Sequence, residues 1–261
     1  MNEIIQQKLK GIEEKFNVKI LYAVESGSRA WGFPSKDSDY DVRFIYVHSP
    51  AWYLSIDPQG SAAKRDVIEE PINDLLDISG WELTKALRLF RKSNPPLLEW
   101  LRSGIIYYQK DSFVDHIRSL ESNVFYPNSM LYHYLNMAKN NYREYLQGPN
   151  VKIKKYFYVL RPILACNWIE KYHTTPPISF NELMEDIVPA GDLKNEVQHL
   201  LKRKLAGDEM DLEARISVIN DFLESEMERL EEYTKTLKVE VEDPTEMLDE
   251  LFRDTLQQTW K

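Results

Sequence analysis

The chain has 261 residues, 43% of them hydrophobic, and no apolar run near the roughly 20 residues a membrane span requires, so it reads as a soluble globular protein of one or two domains. One cysteine, Cys166, excludes an internal disulfide framework, and the first eight residues carry no apolar signal core, which makes the cytoplasm the expected compartment. The net charge of −9 is uneven: residues 206–261 hold 17 acids and 6 bases, a solvated helical face that argues against a long polynucleotide wrapping this end.

Taken in order, Ile4, Ile5, Leu9, Ile12 and Phe16 repeat at helical spacing and predict a helix over 3–16 that stops at Asn17. Residues 18–25 predict a buried strand ending at Gly27-Ser28, and 29–33 a short helix with its N-terminus at Ser28. A loop over 34–38 leads to a second strand at 41–47, followed by a short helix within 51–56. Two antiparallel strands follow, at 65–70 and 75–79, joined by a turn at Pro71-Ile72-Asn73-Asp74. Ser79 reads as the cap of a helix over 81–92 with Leu83, Ala86, Leu87 and Phe90 as its apolar face. Further segments are a short helix at 96–102, an edge strand at 105–109 and a helix at 111–120.

From Asn128 onward the periodicity is helical, with helices at 129–147, 152–173, 180–187, 192–205, 211–237 and 244–258. Pro162 should kink or break the second of these. The pattern is α+β: a small mixed sheet with helices on one face over residues 1–124, then an α-helical domain over 125–261 that closes the cleft between them. Cys166, inside an apolar stretch, reads as a small buried residue rather than a nucleophile.

The stretch from Gly27 to Val42 carries the chemistry. Asp39 and Asp41 stand two apart at the entry to a strand and therefore share a face. Adjacent carboxylates repel unless a cation lies between them, and Mg²⁺ characteristically takes one or two carboxylates plus substrate phosphates. Gly27 allows close backbone approach to a phosphate, and Ser28 adds a hydroxyl donor. An EF-hand loop beginning at Asp37 fails, since Val42 stands where Gly is needed and His48 where Glu is needed. Neither the Gly-x-Ser-x-Gly elbow of serine hydrolases nor a P-loop is present around Ser28.

Strand, Gly-Ser, connector and Asp-x-Asp in this order resemble the signature of the DNA polymerase β-like nucleotidyltransferase superfamily. The longer wording, Gly27-Ser28-Arg29-Ala30-Trp31-Gly32 followed by Ser38-Asp39-Tyr40-Asp41-Val42-Arg43, is similar to the bacterial predicted nucleotidyltransferases of the YcgL type, some of which are encoded beside RNA-repair genes. The likeness extends through Ser79-Gly80-Trp81, Ser93-Asn94-Pro95 and the run from Lys155 to Pro162. It implies that Gly27, Ser28 and Arg29 bind nucleotide and that Asp39 and Asp41 hold Mg²⁺ or Mn²⁺. It also implies a third carboxylate on a neighbouring strand. Asp77, flanked by Leu76 and Ile78, is the preferred residue, with Glu70 and Asp74 as rivals.

The reaction implied is transfer of a nucleoside monophosphate from an NTP such as ATP to an acceptor, an RNA end among the options. A protein or small-molecule hydroxyl, or nucleotide binding without turnover, are the alternatives. Bases cluster at Lys139, Arg143, Lys152, Lys154, Lys155 and Arg161. Lys154, Tyr158 and Arg161 share one helical face, with Lys155 beside them, and are expected to grip the triphosphate across the cleft; a solvated basic face is the plain alternative. Nothing in the sequence fixes the oligomeric state.

Overall fold

The computed structural model describes residues 1–35, 38–56, 66–70, 75–208, 212–238 and 242–261. The elements in chain order are α1 (Asn2–Phe16), β1 (Lys19–Glu25), α2 (Gly27–Ala30), β2 (Tyr40–Val47), α3 (Pro50–Tyr53), β3 (Val67–Glu69), β4 (Leu76–Glu82), α4 (Leu83–Arg91), α5 (Pro95–Leu101), β5 (Ile106–Gln109), α6 (Asp111–Ser119) and α7 (Glu121–Val124). Then come α8 (Pro127–Tyr145), β6 (Asn150–Lys152), α9 (Tyr156–Tyr172), α10 (Phe180–Ile187), α11 (Asp192–Ala206), β7 (Leu212–Ala214), α12 (Ser217–Thr236) and α13 (Thr245–Thr259). The architecture is α+β, as expected.

Five strands form a mixed sheet in the order β3-β4-β2-β1-β5. β2 runs antiparallel to β1 and parallel to β4, and β3 and β5 pair antiparallel at the two edges. The β2–β4 register sets Asp41 opposite Asp77 and Arg43 opposite Ser79. Alternation along β2 then divides its residues. Val42, Phe44 and Tyr46 pack with Ile5, Leu9 and Ile12 of α1, whereas Ile45 and Val47 join the large core built with the helices. Asp41 and Arg43 share the parity of Ile45, so they lie on the side of the helical body. Gly80 faces the opposite way, and a Cβ there would run into the Phe44 ring.

Helices therefore cover both faces of the sheet, not one. The periodicity of α1 shows that it is amphipathic, but it carries no information on which face receives it. Two further expectations change. The helix expected from residue 81 begins at Leu83, because β4 continues through Trp81 and Glu82 alongside β2. Glu82, not Ser79, caps it, accepting the Thr84 N–H at 2.8 Å and the Lys85 N–H at 3.3 Å.

The helix expected over 152–173 is a single 3₁₀ turn, Ile153–Lys155, followed by α9, which runs unbroken through Pro162. Before that turn, β6 pairs antiparallel with β7, two three-residue strands separated by some sixty residues and invisible to periodicity. Arg65, the Pro71–Asp74 turn with the rival Asp74, and Lys36 and Asp37 lie outside the described residues. Among the described residues no helix is long and apolar enough to cross a membrane.

Candidate active site

The site grows from the β1–α2 turn and the adjoining ends of β2 and β4. Gly27 has φ +60°, and a Cβ at that position would stand 2.9 Å from Asp41 Cγ and closer still to Oδ2. A side chain there would displace the carboxylate, so the turn lies directly against Asp41. The Ser26 N–H donates to the Asp41 carbonyl at 2.8 Å, which ties the turn to the start of β2. Ser28 is buried, with its hydroxyl 3.3 Å from that of Ser38.

Arg29 organises the connector. Its Nε donates to the Asp39 carbonyl at 3.0 Å and its Nη2 to the Ser38 carbonyl at 2.7 Å, with the guanidinium 3.8 Å above the Tyr40 ring. The side chain thus fixes the backbone that presents Asp39, itself exposed.

Asp41 and Asp77 are joined by Arg43. Its Nη2 lies 2.7 Å from Asp77 Oδ2 and 3.3 Å from Asp41 Oδ1. Its Nη1 donates to the carbonyls of Val42 and Asp77. Burial raises the Asp41 carboxyl above the usual carboxylate range; Asp77 and Asp39 add to the rise, and Arg43 opposes it. Concentrated negative charge of this kind is what a divalent cation neutralises.

Among the described residues no three His, Cys, Asp or Glu side chains converge tightly enough to enclose an ion by themselves. The donor set nevertheless fits Mg²⁺ or Mn²⁺, since Mg²⁺ needs only one or two carboxylates when a nucleotide's phosphates complete its shell. Asp39, Asp41 and Asp77 are the residues that would hold the ion. Glu70, the other described rival, instead pairs with Lys15 at 2.8 Å.

One residue of the site was not anticipated. Glu25, at the end of β1 and 0% exposed, accepts the Asp41 N–H at 2.7 Å through Oε1 and the Tyr107 hydroxyl through Oε2. Burial raises its carboxyl, and the Tyr107 hydrogen bond partly offsets the rise. An acid closing an otherwise apolar strand, Ile20 to Val24, is the signal that marks it.

The helical body reaches the site through Tyr158. Burial raises its phenol, and Asp41 and Asp39 raise it further, so the ring end senses both carboxylates. Lys155 Nζ lies 4.8 Å from the Tyr158 ring centroid and 4.3 Å from that of Tyr145. Burial and neighbouring Lys154 lower the Lys155 ammonium. Lys154 is exposed.

Arg161 departs from expectation. It is 2% exposed, with Nη1 2.7 Å from Glu99 Oε1 and its guanidinium 4.6 Å over the Trp31 ring. Glu99 also accepts from Trp31 Nε1 at 3.2 Å and from the Tyr134 hydroxyl at 2.7 Å. Arg161 therefore offers no free charge to the cleft. It anchors Trp31, one residue beyond α2, to the helical body. The shared face of Lys154 and Arg161 disappears because Lys154 sits in the 3₁₀ turn and only Arg161 lies in α9.

The family model described as RlaP, RNA repair pathway DNA polymerase beta family, matches residues 1–254. The chain belongs to this family. An uncharacterized protein, YcgL, of Bacillus subtilis (strain 168) is 58% identical over 261 residues, which is 100% of this chain and 98% of that protein. Among solved structures, a nucleotidyltransferase-like protein from Exiguobacterium sibiricum 255-15 aligns over 98% of this chain and 92% of its own, with 12% identity and a TM-score of 0.32. Membership of the polymerase beta family agrees with the resemblance seen in the Gly-Ser and Asp-x-Asp motifs.

Proposed function

We propose that this chain is a divalent-cation-dependent nucleotidyltransferase that moves a nucleoside monophosphate from an NTP to an acceptor hydroxyl, with an RNA end as the acceptor. The observation that carries the reading is the register of Asp41 against Asp77 on adjoining strands, beside a glycine turn that a side chain would block. Family membership supports the chemistry, and the family's RNA-repair description supports the choice of acceptor.

In this reading Gly27 and Ser28 receive the β- and γ-phosphates, and Arg29 keeps the Asp39 backbone in place. Asp39, Asp41 and Asp77 would hold Mg²⁺ or Mn²⁺, which when bound supplies charge neutralisation at the triphosphate and at the attacking oxygen. Asp77 takes up the acceptor proton as the acceptor oxygen bonds to the α-phosphorus. The α–β phosphoanhydride bond breaks and pyrophosphate leaves. Lys154, Lys155 and Tyr158 contact the nucleotide from the helical body, while Arg161 acts indirectly through Trp31. The compartment we assign is the cytoplasm.

The test is incubation with each labelled NTP in turn, Mg²⁺ or Mn²⁺, and either tRNA-sized RNA or a cell lysate. Label should enter the RNA, and Asp39→Asn with Asp41→Asn should abolish the incorporation. Label entering protein or small molecules only would move the acceptor. No incorporation under any combination would overturn the enzymatic reading.

A further inference from the structure

A cavity of about 500 Å³ opens between the end of α5, the α6–α7 junction and the segment that joins α9 to α10. Its lining shares no residue with the candidate active site. Arg118, at the end of α6, is half-buried in its wall. The guanidinium is pinned by neutral groups only: Nε donates to the Leu101 carbonyl at 2.9 Å and Nη2 to the Tyr22 hydroxyl at 3.0 Å. Among the described residues no carboxylate pairs with it. A partly desolvated charge without a counterion is costly, and an anion in the cavity would relieve that cost.

We propose that this cavity is a second binding site, for a phosphomonoester of nucleotide size. Seven of its nine lining residues carry N–H or O–H donors, and the single acid among them, Glu121, is already paired with Arg102 at 2.6 Å. Arg102 spends Nε and Nη2 on that carboxylate, and Arg118 spends the same two nitrogens on Leu101 and Tyr22. Nη1 of each guanidinium is left for a ligand. Thr174 Oγ1 accepts the Trp168 Nε1–H at 3.1 Å, which leaves its own proton to give. Two held guanidiniums and a hydroxyl facing one space suit the terminal oxygens of a phosphate monoester, the group that arginine binds with its fork. The space is larger than phosphate alone requires and lies within the roughly 300–1,000 Å³ of small-molecule sites. Phe125 supplies an aromatic wall for the rest of the ligand. The phosphate can belong to a free nucleotide or to the end of an RNA chain; the chemistry recognised is the same.

The experiment is calorimetric titration of the full chain in EDTA, without divalent cation or NTP, using two pairs of probes. One pair is AMP and adenosine; the other is a short oligoribonucleotide with a 5′-phosphate and the same chain with a 5′-hydroxyl. In at least one pair the phosphorylated probe should bind on the order of tenfold tighter than its partner, and the pair that shows it names the source of the phosphate. Arg102→Gln should remove about that tenfold advantage, and Ser122→Trp should block the cavity by bulk. Both positions are exposed, so these variants carry the test even if Arg118→Gln, which also loses Leu101 and Tyr22, fails to fold. Lys155→Ala, at the candidate active site, should leave the phosphate-dependent binding unchanged. Equal affinity with and without phosphate in both pairs, no binding of any probe, or binding lost in Lys155→Ala but kept in Arg102→Gln and Ser122→Trp would overturn the second site. None of these results touches the nucleotidyltransferase reading, which is decided by incorporation of label.

Discussion

Gly27→Ala tests the contact at the centre of the site, and Gly32→Ala provides its control. Both glycines have positive φ, +60° and +86°, so an alanine at either pays the left-handed backbone cost of about 1–2 kcal/mol. Their surroundings differ. A Cβ at Gly32 meets nothing within 4 Å, whereas one at Gly27 meets Asp41 Cγ at 2.9 Å. The Asp41 carboxylate must move, and its 3.3 Å contact with Arg43 is then lost, adding roughly 0.5–1.5 kcal/mol. Urea denaturation should show Gly32→Ala down by about 1–2 kcal/mol and Gly27→Ala by about 2–3 kcal/mol. Only Gly27→Ala should impair binding of Mn²⁺ with nucleotide. In an Asp41→Ala background the nearest remaining atom of residue 41 is Cβ at 3.4 Å, an ordinary contact, so the extra cost of Gly27→Ala should vanish there. Equal losses for the two glycine variants in both assays, or an unchanged cost in the Asp41→Ala background, would refute the contact.

Asp39→Asn with Asp41→Asn should eliminate nucleotide transfer while circular dichroism and the melting transition stay those of a folded protein. Lys155→Ala should weaken NTP binding by about 1.5–3 kcal/mol, read by calorimetry, with a smaller loss at high salt; unchanged affinity would leave Lys155 as a packing partner of Tyr145 and Tyr158. Arg161→Ala should cost on the order of 3–5 kcal/mol in denaturation, because it strands Glu99 in the interior. Glu25 titrates above its reference value of 4.5, so the folded state holds its proton more tightly than the unfolded chain. Its contribution to stability is complete below that value and is lost as pH rises through the folded pKa. Glu25→Gln should therefore gain stability relative to wild type as pH rises above 4.5, and parallel pH curves for the two proteins would count against the assignment.

The legible parts were those fixed by local pattern. The apolar run from Ile20 to Val24, the entry of Asp39 and Asp41 into a strand, and the helix over 180–187 depend on neighbours in sequence, and the fold reproduces them. The order Gly-Ser then Asp-x-Asp was legible as a family motif, and the hydrogen bond from Ser26 to the Asp41 carbonyl brings its two parts together in the fold. What sequence could not convey is pairing. The α1 stripe does not name its face of the sheet, and three-residue strands such as β6 and β7 exist only through each other. Glu82 displaced Ser79 as a cap because β2 extends β4 by parallel pairing, a non-local effect. Arg161 was misread for a related reason. Its spacing from Lys154 suggests a common face, but Glu99 lies far away in sequence and nothing near Arg161 announces that partner.

That misreading bears on how the charge of the site is balanced. Glu25, Asp39, Asp41 and Asp77 gather four carboxylates around the β1–α2 turn, and burial raises two of them. Arg29 is committed to the Ser38 and Asp39 carbonyls, Arg43 to the Asp pair, and Arg161 to Glu99. A triphosphate entering such a site adds negative charge where each of these three guanidiniums already has work to do. On the proposed reading the missing positive charge comes from the bound cation and from Lys154 and Lys155, and both lysines belong to the helical body rather than the sheet. Tyr158, which senses Asp39 and Asp41 while standing beside Lys155, is one of the points where the two halves meet, together with the Trp31–Arg161 contact. On that reading, a sheet carrying the carboxylates alone would repel a triphosphate. On the proposed reading, the packing of Tyr158 and Arg161 of α9 against Trp31 is what would bring the lysines to the triphosphate.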